Sequence, residues 1–337
     1  MKFLVIGLGS MGKRRCRNLI ANGVNPNEIY AYDIREDRAA EISNTAMHAI
    51  TVLTNDVVND VKAFIISTPP DQHLKYIQLA IENGKDCFIE ASVLSEGLEE
   101  VNQKALARKL ILFPSCTMRY FKGPKLIKAL IEKDTIGDVY HWQYLSGQYL
   151  PDWHPWEKVT DYYVSNALTG GCREIVPFEL VWLTDIFGKI ESVSSRKFKL
   201  SDLPANIDDV YFLEIDHQSA KGQLIVDVLS QSPIRSLRVI GSKGTLEWDM
   251  YREKSISIYS ATNKKWSYYS TEEENKFSDY INSETPYISE IKDFLHCIQE
   301  RLNPTYSLAN DIDILGILAC SEKSHSQDQI KVGVKVQ

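Results

Sequence analysis

Between Lys2 and Pro114, short and wholly apolar runs alternate with segments of helical period. The runs are Phe3 to Ile6, Ile29 to Tyr32, Ala63 to Ile66, Cys87 to Ile89 and Leu110 to Phe113. Runs that stay apolar at every position suit strands covered on both faces, as in a parallel sheet flanked by helices. One helix is predicted from Asp71 to Asn83, where Leu74, Ile77 and Ile81 recur at three-to-four spacing and Gly84 stops it. After Gly137 the period falls to two: Tyr140, Trp142 and Tyr144 share one face of a strand, and His141, Gln143 and Leu145 the other. Strands follow at Val210 to Ile215, Leu224 to Leu229, Ser236 to Ile240 and Thr245 to Trp248, with hairpin signals at Ser219 to Gly222 and Gly241 to Gly244. They read as an antiparallel sheet. Two helices close the chain, one after Pro286 with a stripe of Ile288, Ile291, Leu295 and Ile298, the other capped by Ser307.

With 337 residues, 44% of them hydrophobic and 25% charged, the composition is that of an ordinary soluble protein of about two domains. The formal charge of −7 argues against nucleic-acid or anionic-membrane partners, and no stretch approaches the ~20 apolar residues of a membrane span. Six scattered cysteines, without a CxxC pair or clustered histidines, point to reduced thiols in the cytoplasm and to no metal site. The start of the chain reads as carrying no export signal, because the basic cluster Lys13, Arg14, Arg15 and Arg17 follows the short apolar run instead of preceding it. That cluster is read as a solvated helix face.

Gly7-Leu8-Gly9-Ser10-Met11-Gly12 is a GxGxxG loop lying between the first strand and a helix. The glycines serve a tight turn, close approach of a pyrophosphate and helix-to-strand packing, while the helix N-terminus supplies N–H donors. Asp33 ends the second strand, 21 residues beyond Gly12, where an acid bonds the adenosine ribose. The expected cofactor is NAD, with NADP less favoured. Arg35 and Arg38 stand close enough in sequence to offset Asp33.

These residues, with Ser67-Thr68-Pro69-Pro70, His73, Glu90, Ile240 to Thr245 and the helix start at Tyr287 to Glu290, resemble the glucose-fructose oxidoreductase, inositol dehydrogenase and rhizopine-catabolism (Gfo/Idh/MocA) family over essentially the whole chain. The resemblance implies an N-terminal Rossmann dinucleotide-binding domain (α/β, residues 1–118). It also implies an α+β C-terminal domain with a mixed or antiparallel open sheet (119–337), with final helices able to pack back on the first. It further places Thr68, Pro69, His73 and Glu90 along the nicotinamide pocket, with Ser67 beside them. Two departures stand out. The family's Glu-Lys-Pro motif reads Glu90-Ala91-Ser92, so its lysine is absent, and the segment Gly170 to Glu179 lacks the family's histidine. Hydride transfer from an alcohol needs a base for the hydroxyl proton, so other groups must serve.

Aromatic rings crowd the stretch from Tyr140 to Tyr163, above all in Gln148-Tyr149-Leu150-Pro151-Asp152-Trp153-His154-Pro155-Trp156. Rings interleaved with Asp152 and His154 suit stacking on a sugar. The Leu-Pro-Asp-Trp-His-Pro-Trp segment resembles one in family members that act on sugars or nucleotide sugars in surface-glycan synthesis. For the strand Tyr140 to Tyr144, a substrate platform and an oligomer contact are equally supported. Candidate substrate residues are Asp152, Trp153, His154 and Arg119, the last following the final Rossmann-type strand, with the ligand expected in the cleft between domains. Candidate acids or bases are Glu174, Glu179 and Tyr163. Pro177 is best tolerated in a first helical turn, which puts Glu174 just before the helix and gives Glu179 a capping alternative, while Glu179 also falls at or beside the missing histidine. Three readings remain open: an NAD(P)-dependent oxidoreductase on a sugar or nucleotide sugar, a catalytically silent cofactor-binding partner or sensor, and a non-redox epimerase or lyase with tightly held NAD. A homodimer or homotetramer through the C-terminal sheet is expected.

Overall fold

The computed structural model describes residues 1–273 and 283–334. The fold divides into two compact units, Met1–Thr117 with Asn275–Ile312, and Met118–Glu274 with Asp313–Gln337. The first unit thus joins the N-terminal residues to a segment from late in the chain.

Its parallel sheet has the order β3-β2-β1-β4-β5-β6. The strands are β1 (Phe3–Ile6), β2 (Ile29–Tyr32), β3 (His48–Ile50), β4 (Ala63–Ile66), β5 (Asp86–Ile89) and β6 (Leu112–Pro114). Every residue of β1, β4 and β5 is buried, which explains why they carry no polar alternation. β3 escapes an apolar-run search because it is three residues long and partly exposed. Around the sheet lie α1 (Ser10–Ala21), α2 (Glu36–Ala40), α3 (Asn55–Asp60), α4 (His73–Glu82) and α5 (Leu98–Ala107). Strand order reverses between β1 and β4, the place where parallel α/β sheets bind ligands beyond their strand ends.

The second unit opens with α6 (Lys122–Glu132), β7 (Val139–Tyr149) and α7 (Cys172–Phe187). Then come β8 (Ile190–Phe198), β9 (Val210–His217), β10 (Lys221–Asp227), β11 (Leu229–Gly241), β12 (Gly244–Asp249), β13 (Ser255–Ser260) and β14 (Lys265–Ser270). The chain closes with α8 (Thr285–Glu300), α9 (Leu308–Ser326) and β15 (Val332–Gly333). The sheet order is β14-β13-β12-β11-β7-β10-β9-β8-β15. Neighbouring strands pair antiparallel except β7 and β10, which run parallel, so the sheet is mixed. Hairpins join only sequence neighbours, whereas α7, β8 and β9 intervene between these two strands.

Trp142 and Tyr144 are each 1% exposed and pack on Phe187 and Trp182 of α7, both with ring centroids 5.1 Å apart. This corrects the reading of that strand face as a substrate platform or oligomer contact at Trp142 and Tyr144, which are core, whereas Tyr140 is 58% exposed. The outer face of β7 carries exposed His141, Gln143 and Leu145. In the first unit, α8 buries Tyr287, Glu290, Ile291, Phe294, Cys297 and Ile298, a face turned slightly from the apolar stripe and containing an acid that the stripe leaves out. Phe294 packs edge-on against Phe88 and Phe113 at 5.7 Å each. Ser307 does cap α9, its Oγ accepting from the Asn310 N–H. Among the described residues no helix is long and apolar enough to cross a membrane.

Candidate functional site

The glycine loop is built by close contact. A Cβ on Gly12 would lie 1.7 Å from the Gly7 carbonyl oxygen, and one on Gly7, whose φ is +89°, would lie 2.6 Å from Ser67 O. Gly9 differs, for a Cβ there would approach only the Arg38 guanidinium, at 3.5 Å. The backbone at Gly9 is thus bare. Gly9 is also the N-cap of α1 and offers no side-chain cap, which leaves the first N–H groups around Ser10, Met11 and Gly12 for an anion. At the end of β4, Ser67 Oγ and Thr68 Oγ1 are buried without hydrogen-bond partners. A bare loop, a free helix N-terminus and two orphan hydroxyls at the switch point fit a dinucleotide.

Asp33 is 6% exposed, and its carboxylate accepts from Leu8 N–H at 2.7 Å and Arg35 N–H at 2.9 Å. The acid is thereby locked to the glycine loop. The Arg35 guanidinium turns away to Asp37, whose pKa it holds at about 2. Arg38 is the arginine that approaches Asp33, at 3.9 Å. His73 is buried, its Nε2 2.9 Å from the Thr68 carbonyl and its Nδ1 3.3 Å from Ser92 Oγ. Burial pushes its pKa down, so a neutral ring pins the Thr68-Pro69 turn.

The basic run after the loop is not the solvated face expected of it. Arg14 is 5% exposed and donates to Glu284 at 2.9 Å, with the Tyr287 ring 4.2 Å below. Arg15 is 0% exposed and donates to both oxygens of Glu90, Nε to Oε1 at 2.5 Å and Nη2 to Oε2 at 3.1 Å. Spacing cannot reveal this, because the two acids it serves, Glu90 and Glu290, arrive from β5 and α8.

In the second unit, the structure brings together Glu174, Tyr163 and His154. Tyr163 Oη donates to Glu174 Oε1 at 2.9 Å. The other oxygen, Oε2, is out of solvent and has no partner. Burial pushes the Glu174 pKa up to about 7, although the Tyr163 bond pulls it down. Tyr162 stands edge-on to Tyr163 at 6.0 Å and stacks on His154 at 4.7 Å, and His154 stacks on Trp156 at 5.2 Å. Trp156 is 71% exposed. Trp153 adds a buried indole N–H without an acceptor, while Asp152 is exposed.

Two other candidates stand elsewhere. α7 starts at Cys172, so Pro177 is its sixth residue, Glu174 lies in the first turn and Glu179 is interior, not a cap. Glu179 is 0% exposed and accepts from Tyr144 Oη, Ser146 Oγ, Trp182 Nε1 and Arg235 Nε at 2.8–2.9 Å. Saturated by four donors, it binds α7 to the sheet and has no capacity left for proton traffic. Arg119 donates to Asp185 at 2.7 Å, and Asp185 lies eleven residues beyond Glu174, roughly 16 Å along the helix. It does not join the aromatic group.

Comparison with known proteins bears on the family and the fold. Residues 1–113 match the description "oxidoreductase family, NAD-binding Rossmann fold", and residues 125–247 match "GFO/IDH/MocA C-terminal domain". The chain is 26% identical over 141 residues to an inositol 2-dehydrogenase/D-chiro-inositol 3-dehydrogenase of Shouchella clausii, a match spanning 40% of this chain and 41% of that protein. Among solved structures, levoglucosan dehydrogenase in complex with NADH superposes with a TM-score of 0.85 at 16% identity, covering 100% of both chains. An oxidoreductase from Agrobacterium radiobacter in complex with NAD+, L-tartaric acid and magnesium gives 0.85 at 11% identity, over 99% of this chain and 98% of that one. At such identities the superpositions show the fold.

Proposed function

Because the chain belongs to the Gfo/Idh/MocA oxidoreductase family and carries its NAD-binding Rossmann domain, we propose that it oxidises a hydroxyl of a sugar or nucleotide sugar with NAD, using Glu174 as the base. When bound, NAD supplies the hydride acceptor. The observation that carries the reading is Glu174: a carboxyl with a pKa near 7, one oxygen held by Tyr163 and the other left bare. A base of that pKa takes a hydroxyl proton and returns it at neutral pH. Oε2 would take the proton from the hydroxyl oxygen while the carbon bearing it gives up its hydride and becomes a carbonyl, and the Tyr163 bond fixes the carboxyl's orientation. Trp156, 71% exposed at the edge of the stack, offers a ring face to a pyranose, and the Trp153 N–H offers a donor to one of its hydroxyls. Levoglucosan and the inositols, named for the similar proteins, head the compounds to screen with surface-glycan nucleotide sugars. Exposed Leu145, Phe198 and Phe212 on the open sheet face support assembly into a dimer or tetramer.

The test is NAD+ reduction across that panel, followed by Glu174→Gln on the best substrate. The expected loss in kcat is about 10²–10⁴-fold, with NAD affinity unchanged and the rate no longer dependent on a group near pH 7. Wild-type turnover by the variant would remove Glu174 from the chemistry. NAD binding without turnover on any member would favour the silent-partner reading, for which Ala91 in place of the family's lysine is the supporting observation.

A further inference from the structure

Arg15 lies in the core of the first unit, and the charges around it do not balance. It sits over the Phe88 ring at 4.4 Å, holds Glu90 by two hydrogen bonds and stands 2.9 Å from Glu290 Oε2. Glu290 is 0% exposed and also accepts from Cys116 N–H at 2.6 Å, Thr117 Oγ1 at 2.7 Å and Ser115 Oγ at 3.1 Å. Burial and the neighbouring Glu90 push its pKa up, and Arg15 with the Thr117 and Cys116 donors opposes that rise. Among the described residues, Arg15 is the cation paired with either carboxylate. Two anions thus share one cation, and one negative charge is left over where little water screens it.

An arginine needed only to neutralise Glu90 would require no second acid. The two carboxylates also differ in what they can still meet. Glu290 is saturated, whereas Glu90 keeps an exposed edge, 12% of its side chain, at the carboxyl end of β5. Its backbone N–H bonds Ile66 O, the last residue of β4, so the acid stands one strand beyond the switch point beside the unpartnered hydroxyls of Ser67 and Thr68. The nicotinamide ring of NAD is a cation when oxidised and uncharged when reduced.

We propose that the Arg15–Glu90–Glu290 cluster selects the redox state of the cofactor, its excess negative charge, presented by Glu90, favouring NAD+ over NADH. The proposal rests on the first unit being the NAD seat. Calorimetric titration of the full-length protein with NAD+ and with NADH tests both. Wild-type protein should bind NAD+ more tightly. Glu90→Gln keeps the shape and removes the charge, and it should lower the ratio of the NADH to the NAD+ dissociation constant by about tenfold, from charges interacting in a weakly screened site. Glu290→Gln should move the ratio the same way. Wild-type preference for NADH, or a ratio unchanged in Glu90→Gln, would overturn the selector while leaving the NAD seat intact. If neither cofactor binds wild-type protein, the functional reading and the selector fall together.

Discussion

Glu174 shows how one buried carboxyl couples folding to pH. Its pKa of about 7 in the fold lies above the ordinary 4.5 because burial disfavours its charge. The ionised form is therefore the one the fold resists: stability present below pH 4.5 is lost as the pH rises through 7. At roughly 1.4 kcal/mol per pH unit the loss is at most about 3 kcal/mol. Glu174→Gln cannot ionise, so it should be more stable than wild type at pH 8 and close to it at pH 4.5. Urea unfolding at both values checks this, and equal midpoints at pH 8 would contradict the raised pKa. Sequence spacing singled out Glu174 and Tyr163 but could not report that one carboxyl oxygen lacks a partner, since that depends on which backbone and side chains close over it.

At the scale of elements, the strand-loop-helix unit from Phe3 to Ala21 separates folding from binding within six residues. Gly12 faces the Gly7 carbonyl, so Gly12→Ala forces backbone apart and should cost stability of about 3 kcal/mol or more. Gly9 has a φ of −66° and open space, so Gly9→Ala should fold with a change of no more than about 1 kcal/mol. Its methyl would nevertheless stand where the pyrophosphate approaches, and NAD affinity should fall tenfold or more. Thermal unfolding and cofactor titration of the two variants separate these effects; unchanged affinity in Gly9→Ala would place the phosphates elsewhere. α7 carries the opposite lesson. Five residues apart on a helix of about 100° per residue, Glu174 and Glu179 diverge by roughly 140°. The structure puts one against Tyr163 and the other against the sheet core. The divergence was legible in the sequence, but the helix start was not, because Pro177 sits in the interior instead of the first turn.

For the whole molecule, the instructive feature is that the first unit draws on residues as many as 270 positions away. Glu284 ties Arg14 and Asn18 of α1, the Ile288 carbonyl accepts from Asn22, and Phe294 completes the Phe88–Phe113 cluster. Residues 1–118 produced alone should therefore fail to fold stably and should not bind NAD. Joining residues 283–312 to them by a flexible linker should restore both. Circular dichroism and titration of the two fragments decide it, and a stably folded, NAD-binding 1–118 fragment would show α8 to be dispensable.

The sequence by itself determined the parallel strands, the glycine loop, Asp33 and the change of period that announces a second sheet. Each rests on a local rule: burial on both faces removes polar alternation, and a turn that brings its own backbone within 2 Å of a would-be side chain admits only glycine. Tertiary structure decided the rest. It buried Trp142 and Tyr144, drew Arg14 and Arg15 out of solvent, saturated Glu179 and set Arg119 on Asp185. In each case the deciding partner lies far off in the chain, and a charged or aromatic side chain does not declare in sequence whether it will meet water or a partner.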